Sequence, residues 1–137
     1  MKYVKTRKEQ EFKEKFEGKY YFNSQRVKSK SELLICYFLE ANRVQFQYEP
    51  LMDIDGEIRP DFVLSDGKGN YVILEHFGMD DKEYTRKKDE KIKKYKMLCE
   101  NHHNFFCKYT DEDDMYNLKD RLGKKLNETP LKQALWK

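Results

Sequence analysis

Two acidic residues, Asp61 and Glu75, stand at the outer ends of two short apolar runs of the sequence. The segment between the runs, Ser65–Asn70, contains two glycines and predicts a turn, so the two runs should form an antiparallel hairpin. If Leu64 pairs with Val72, Asp61 lies opposite Glu75, and opposed Cβ atoms in such a pair are about 4.5–5.5 Å apart. A register shift of one residue would instead place the two acids on opposite faces of the sheet.

Two carboxylates at that separation, beside an apolar core, repel each other, and something must offset the repulsion. A shared proton, a lysine or arginine, or a divalent cation would each do so. Mg²⁺ is bound through one or two carboxylates together with water and substrate phosphates, so the predicted geometry suits that ion. The alternative is that both acids are solvated residues at the ends of strands.

A third acid and a lysine occupy positions from which they could join the pair. Glu32 falls in the first turn of a helix predicted to begin at Ser29 or Ser31, where an acid also favours the helix dipole. Lys91 falls within the apolar stripe of a helix predicted over Lys82–Asn101. A lysine on a buried face either extends its ammonium to water or pairs with an anion, and the hairpin acids are candidate anions.

The hydrophobic pattern places these residues on alternating helices and strands. In chain order we predict a polar helix over Thr6–Phe16, a short strand or anchoring segment at Tyr20–Phe22, a helix from Ser29 or Ser31 to Asn42, strands over Val44–Tyr48, Asp61–Leu64 and Tyr71–Leu74, the helix Lys82–Asn101, a strand over Asn104–Tyr109, and a last helix capped by Asp113 or Asp114. That order predicts an α/β fold with helices packed on a central mixed sheet. We assign residues 1–26 to the N-terminal helix and its connection, 27–128 to the core and 129–137 to a tail.

The composition is that of one folded domain with a highly charged surface. A chain of 137 residues suits a single hydrophobic core, and its aromatic content of 15% is too high for a disordered chain. Basic residues are concentrated in Met1–Lys30 and Lys82–Lys94, and such stretches could flank a phosphate backbone. The alternative is that they are solvated helix faces.

The cysteines and the apolar runs bear on the compartment. The odd number and scattered positions of Cys36, Cys99 and Cys107 predict free thiols in a reducing environment. No run in the sequence reaches membrane-spanning length, and the first ten residues lack the apolar stretch of a signal peptide, so we expect a cytoplasmic protein without a membrane partner. The segment Cys99-x2-His102-His103-x3-Cys107 has ligand types that suit zinc, but its cysteines fall on predicted core faces, which favours core thiols.

Four sequence blocks surround the acids in a fixed order. They are Val27-Lys28-Ser29-x-x-Glu32-x-x-Ile35, Phe46-x-Tyr48-Glu49, Arg59-Pro60-Asp61-Phe62 and Leu74-Glu75-His76-Phe77-Gly78. Together they resemble the nuclease-like segment of DNA helicase IV-type helicases of superfamily 1, within the PD-(D/E)xK nucleases. The resemblance covers Val27 to Tyr95 and implies a restriction-endonuclease-like αβββαβ core, extended here by an N-terminal and a C-terminal helix.

The resemblance implies a Mg²⁺- or Mn²⁺-dependent nuclease that hydrolyses DNA. The implied metal ligands are Glu32, Asp61, Glu75 and the backbone carbonyl of His76. The lysine of the general motif is replaced by Phe77, and the helicase IV-type pattern has instead a lysine on the next helix, seven residues after a tyrosine. Tyr84 and Lys91 have that spacing, so Lys91 joins the three acids as a catalytic residue. Its alternatives are the neighbouring lysines Lys87, Lys88 and Lys94.

The sequence also predicts DNA contacts and leaves several alternatives for the kind of protein. The residues expected to contact DNA phosphates are Arg26, Lys28, Lys30, Lys87 and Lys88. No GxxxxGK[ST] phosphate loop is present in the sequence, so it holds no ATP motor, and the nuclease is either a stand-alone protein or part of a larger helicase-related protein. The main alternative is a nuclease fold that binds DNA without cutting it. A sequence-specific restriction-type enzyme would need a long recognition insertion, which the sequence lacks.

Overall fold

A computed structural model describes residues 19–78 and 82–132 of the chain, without the side chains of Lys82 and Glu83. The helix predicted over Thr6–Phe16 and the end of the tail lie outside the described residues. The chain separates into two compact units, Met1–Tyr37 and Phe38–Lys137, and each is described by itself.

The first unit contains a short hairpin and most of a helix. Strand β1, Tyr20–Phe22, pairs antiparallel with β2, Gln25–Val27, which confirms a strand at the first position. Helix α1 spans Lys30–Ala41 and so runs across the unit boundary. The N–H of Glu32 donates to Ser29 Oγ at 3.1 Å. Ser29 is therefore the cap, as one of the two predicted serines.

The second unit is built on a mixed four-stranded sheet. Its strands are β3 (Gln45–Tyr48), β6 (Phe62–Ser65), β7 (Tyr71–Phe77) and β8 (Phe105–Asp111), in the spatial order β3-β6-β7-β8. The β3–β6 and β6–β7 pairs are antiparallel, and β8 runs parallel to β7. The predicted α/β class with a central mixed sheet is confirmed.

The register of the β6–β7 hairpin is the predicted one. Leu64 pairs with Val72, and Phe62 pairs with Leu74. Strand β7 continues to Phe77, beyond its predicted end, because β8 pairs with its whole length.

A small second hairpin in the connection from β3 to β6 was not predicted. Strand β4, Met52–Asp53, pairs with β5, Glu57–Ile58, around a turn at Asp55-Gly56. Asp55 has φ 54° and Gly56 has φ 107°, a left-handed geometry that glycine tolerates best. With two residues each, the strands are too short to show an alternating pattern.

Helix α2 spans Lys82–Asn101, the predicted bounds. Its buried residues Tyr95 and Leu98 form a core cluster with Ile73 of β7 and with Ile58 and Phe105. The long helix therefore packs on the sheet face that carries Ile73, as its predicted apolar stripe requires.

The last helix begins differently from the prediction. A 3₁₀ segment over Glu112–Asn117 precedes helix α3, Leu118–Asn127. Asp111 caps the 3₁₀ segment and Asn117 stands at the N-cap position of α3, so the prediction of Asp113 or Asp114 is wrong. Asp114 is the reciprocal partner of a capping box, because its carboxylate accepts from the N–H of Asp111 while its own N–H donates to the Asp111 side chain.

The prediction that all three cysteines are free thiols is wrong for two of them. Cys99 of α2 and Cys107 of β8 form a disulfide, with Cα atoms 6.8 Å apart, while Cys36 is a buried free thiol. A helix position and a strand position face each other here, which linear spacing does not reveal. The prediction of a reducing compartment loses this support, and neither bridged sulfur is the thiolate that a zinc site needs.

In the part of the chain that the structure describes, no helix combines the length and the apolar content needed to cross a membrane.

Candidate active site

The structure brings Asp61 and Glu75 together in a reciprocal arrangement. The N–H of Asp61 donates to Glu75 Oε1 at 2.8 Å, and the N–H of His76 donates to Asp61 Oδ2 at 2.9 Å. Both acids are buried, with 7% and 1% of their surface exposed. Glu75 therefore accepts a hydrogen bond from the main chain of Asp61, and Asp61 accepts one from the main chain of the residue that follows Glu75.

The pair lies at the point where the β6–β7 ladder stops. Asp61 precedes the first residue of β6, and its carbonyl accepts from the N–H of Glu49 at 2.8 Å. A buried N–H at a strand end needs an acceptor, and the carboxylate of Glu75 supplies one in place of a backbone carbonyl. The two acids come together, as predicted. They do so through a side-chain hydrogen bond and not through a further backbone pair of the β6–β7 ladder.

Helix α2 adds two donors to Glu75. The hydroxyl of Tyr95 donates to Oε1 at 3.0 Å, and Lys91 Nζ donates to Oε2 at 3.4 Å. Residues four apart lie on one helix face, so both reach the same carboxylate. Tyr95 was not among the predicted site residues. Its place four residues after Lys91 was the signal that could have added it to the site.

Lys91 is more exposed than its predicted position in the apolar stripe required. Its side chain is 48% exposed, because Ile92, Tyr95 and Leu98 face the sheet while Lys91 stands at the edge of that stripe. Its ammonium still reaches Glu75.

Two of the alternative lysines are directed elsewhere. Lys94 Nζ donates to the carbonyl of Glu57 at 2.9 Å, and Lys88 Nζ lies 5.0 Å from the centroid of the Phe77 ring. Lys87 is exposed. The geometry therefore favours Lys91 over Lys88 and Lys94 as the lysine that serves Glu75.

The electrostatics of the pair are unbalanced. Burial, followed by the charge of Asp61, raises the pKa of Glu75 from 4.5 to about 7, although Lys91 and the N–H of Asp61 act in the opposite direction. Burial and the nearby Glu75 also raise the pKa of Tyr109 to about 12, and they raise that of Tyr95 well above its ordinary value. Both phenols thus stay protonated, and Tyr95 remains a donor.

The imidazole of His76 points away from the carboxylate pair. Adjacent strand residues face opposite sides of a sheet, and Nδ1 lies 2.9 Å from Thr110 Oγ1 while Nε2 lies 2.8 Å from Glu112 Oε1. Gly78 makes room for this contact, since a Cβ there would lie 2.8 Å from Glu112 Oε1. The main chain of His76 faces the site through its N–H, and the role predicted for its carbonyl stays a prediction.

The remaining predicted residues are placed separately. Glu32 belongs to the first unit, where it is 6% exposed in the first turn of α1, and its role as a third ligand stays a prediction. The predicted phosphate-contacting residues Arg26, Lys28, Lys30 and Lys87 are exposed, and Lys88 is half-buried.

The donor set at the hairpin is compatible with a magnesium ion. Among residues 19–78 and 82–132, no three His, Cys, Asp or Glu side chains converge closely enough to form a metal cluster. Magnesium, however, uses one or two carboxylates and keeps several waters. Asp61 and Glu75 supply two carboxylates, and a divalent cation would offset the repulsion by which the charge of Asp61 raises the pKa of Glu75.

Comparison of the chain with protein-family models, with curated proteins and with solved structures gave no match.

Proposed function

We propose that this chain is a metal-dependent nuclease of the PD-(D/E)xK type, which hydrolyses phosphodiester bonds in DNA with Mg²⁺ or Mn²⁺. The observation that carries the proposal is the buried pair Asp61 and Glu75, in which the pKa of Glu75 is raised to about 7. Perturbed carboxylates of this kind are concentrated at functional sites.

The order of elements supports the finer assignment of the fold. From α1 onward the chain runs α1, β3, β6, β7, α2 and β8 once the small β4–β5 hairpin is set aside, which is the αβββαβ order of the restriction-endonuclease-like core. We include in the proposal the relation to helicase IV-type nuclease segments. We also include a cytoplasmic location and action either alone or beside a helicase motor.

The residues of the site have separate roles in this proposal. The carboxylates of Asp61 and Glu75 would hold the ion, with the carbonyl of His76 as a further ligand. An ion held there would supply an activated water and would neutralise phosphate charge. The hydroxyl of Tyr95 fixes the rotamer of Glu75, and the ammonium of Lys91 offsets charge that develops on the phosphate.

The test is cleavage by the full chain and by an Asp61→Asn variant. Asparagine keeps an oxygen that can accept from the His76 N–H but removes the charge, so we expect metal-dependent cleavage to be lost with the fold retained. DNA affinity should persist and fall steeply with added salt, because it comes from phosphate contacts. Cleavage that survives complete chelation, or that is unchanged in Asp61→Asn, would contradict the proposal.

A second candidate function is DNA binding without cleavage. It is favoured by the reciprocal hydrogen bonds, because Asp61 and Glu75 already satisfy main-chain N–H groups and so have a structural reason to be present without a metal. Salt-sensitive DNA binding combined with inactivity in both Mg²⁺ and Mn²⁺ would establish this candidate in place of the nuclease.

A further inference from the structure

A cavity of about 650 Å³ adjoins the same sheet as the carboxylate pair. Its lining includes Gln45 and Gln47 of β3, Ser65 of β6 and the aromatic pair Tyr71 and Phe105. The β4–β5 hairpin contributes apolar residues to its wall. The volume lies in the range of small-molecule sites.

The lining of this cavity is uncharged. None of the nine residues that line it is Asp, Glu, Lys or Arg, although 39% of the residues in the chain are charged. A free phosphate, a carboxylate or a metal ion would find no opposite charge there, and burying an unpaired charge is costly. The cavity therefore suits a neutral occupant.

The uncharged groups are those that recognise a flat heterocycle. The rings of Tyr71 and Phe105 stack with centroids 5.3 Å apart and an angle of 25°, which gives the cavity an aromatic wall. Gln45 and Gln47 alternate along β3, so both amides project from one face of the strand, and each amide offers donors and an acceptor. Nucleobases stack on aromatic side chains and pair with glutamine amides through their edges.

The cavity and the carboxylate pair share one strand. Tyr71 of the aromatic wall lines the cavity, and Glu75 stands four residues after it on β7, on the same face by alternation. Four residues of a strand span about 13 Å, which is close to the length of four stacked nucleotides at about 3.4 Å each.

We propose that this cavity binds an unpaired nucleobase of the strand that is cut, about four nucleotides from the scissile phosphate. This inference rests on the proposed nuclease function. A base inside a duplex cannot enter a cavity without leaving the stack, so the substrate class is single-stranded DNA, or duplex DNA with unpaired bases at that distance.

Binding is tested first with nucleosides, which carry no phosphate and cannot be cleaved. Adenosine, cytidine and thymidine are titrated into the full chain while the side-chain amide NMR signals of Gln45 and Gln47 are followed. We expect a saturable shift with at least one nucleoside and at least a fivefold weaker affinity in a Gln45→Ala/Gln47→Ala variant. Gln25→Ala, at an exposed position of β2, is the matched control.

Two results would overturn the base site. One is the absence of a saturable shift with all three nucleosides. The other is an equal response to N-acetylphenylalanine amide, which would make the cavity a site for a peptide side chain.

A cleavage assay distinguishes failure of the base site from failure of the proposed nuclease function. A single abasic position is moved along an oligonucleotide, and we expect KM to rise about tenfold when it lies near the fourth nucleotide from the cut. The double glutamine variant should lose that position dependence. If the native chain cleaves with no such dependence, the base site fails and the nuclease stands. If nothing is cleaved but nucleosides bind, the nuclease fails and the base site stands within a DNA-binding module.

Discussion

Two buried carboxylates of this protein have opposite surroundings. Glu75 and Asp114 each expose about 1% of their side chains. Asp114 accepts from Arg121 Nε at 2.9 Å and from Lys125 Nζ at 2.8 Å. Among the residues that the structure describes, Glu75 has one ammonium, at 3.4 Å, and a second carboxylate beside it.

The pKa values follow from this difference in partners. Burial acts to raise the pKa of Asp114, but hydrogen bonds from Lys125, from the N–H of Asp111 and from Arg121 outweigh it and lower the pKa. At Glu75 burial and Asp61 prevail, and the pKa rises to about 7. A carboxylate that is shielded from solvent can thus stabilise the fold when the chain supplies its counter-charges, as at Asp114. Where the chain does not balance the charge, as at Glu75, a bound cation could do so.

A large effect on catalysis is expected from removing the ammonium that reaches Glu75. Lys91→Met should lower the cleavage rate at least 10²-fold, the range for loss of one preorganised charge-stabilising group. Urea midpoints measured below about pH 6 should change little, since Glu75, with its pKa of about 7, is then largely protonated and the lysine side chain is half exposed. Lys94→Met is the control on the same helix, because the ammonium of Lys94 contacts the carbonyl of Glu57 instead of Glu75. A larger loss of activity in Lys94→Met than in Lys91→Met would contradict the assignment.

Removing the carboxylate at the balanced site should affect stability instead. Asp114→Asn loses the ion pairs to Arg121 and Lys125, both partly exposed, and weakens the capping box. We expect a loss of about 2 kcal/mol in the free energy of unfolding, measured by urea denaturation at pH 7. The cleavage rate per folded molecule should stay within about twofold; a loss of activity comparable to that in Lys91→Met would remove the distinction between the two sites.

Neutralising Glu75 should raise the free energy of unfolding, whereas Asp114→Asn should lower it. In the absence of divalent ions, Glu75→Gln should raise the free energy of unfolding at pH 8 by on the order of 2 kcal/mol, because it removes a buried charge next to Asp61. Cleavage should be lost. Destabilisation of this variant at pH 8 would show that Glu75 is held in a balanced environment after all.

The pH dependence of stability also tests whether the charge of Glu75 is balanced in the folded state. It needs only the change in the free energy of unfolding with pH, not its absolute value. The folded-state pKa of Glu75, about 7, lies above its unfolded value of 4.5, so the folded state binds the extra proton between these values. Stability should therefore fall as pH rises from about 4.5 to 7 and then level off. The slope should vanish in Glu75→Gln and persist in Asp114→Asn, whose lowered pKa matters only below about pH 4.

The smallest expected effect is stabilisation by the ion itself. Mg²⁺ at about five times its Kd should stabilise the native chain by about 1 kcal/mol, seen as a rise in Tm. The gain should shrink as pH falls below 7, because protons compete for Glu75. An equal gain in Asp61→Asn and in the native chain would place the ion elsewhere.

The sequence predicted the parts of the site that depend on local pattern. The pairing of Leu64 with Val72 and the bounds of α2 followed from alternation and helical periodicity, because each is encoded within a continuous segment. The meeting of Asp61 and Glu75 followed from that register.

The parts that could not be predicted depend on contacts between distant segments. The disulfide of Cys99 and Cys107 joins a helix to a strand, and the bond from Tyr95 to Glu75 crosses twenty positions of sequence. The Asp111 cap was missed because several neighbouring acids could each accept the same N–H groups. In each case the choice is made by packing, which a pattern in one segment does not contain.

The parallel pairing of β7 with β8 has a consequence for the order in which the site is assembled. The β6–β7 hairpin closes through a short turn, whereas β8 can join only after the long crossover helix α2 has been laid down, and closing the longer loop costs more entropy. We therefore expect Asp61 and Glu75 to approach each other before the pairing of β7 with β8 completes the sheet. Protonation of Glu75, or a cation captured early, would ease that step, so acidity and divalent ions are kinetic variables for this chain as well as thermodynamic ones.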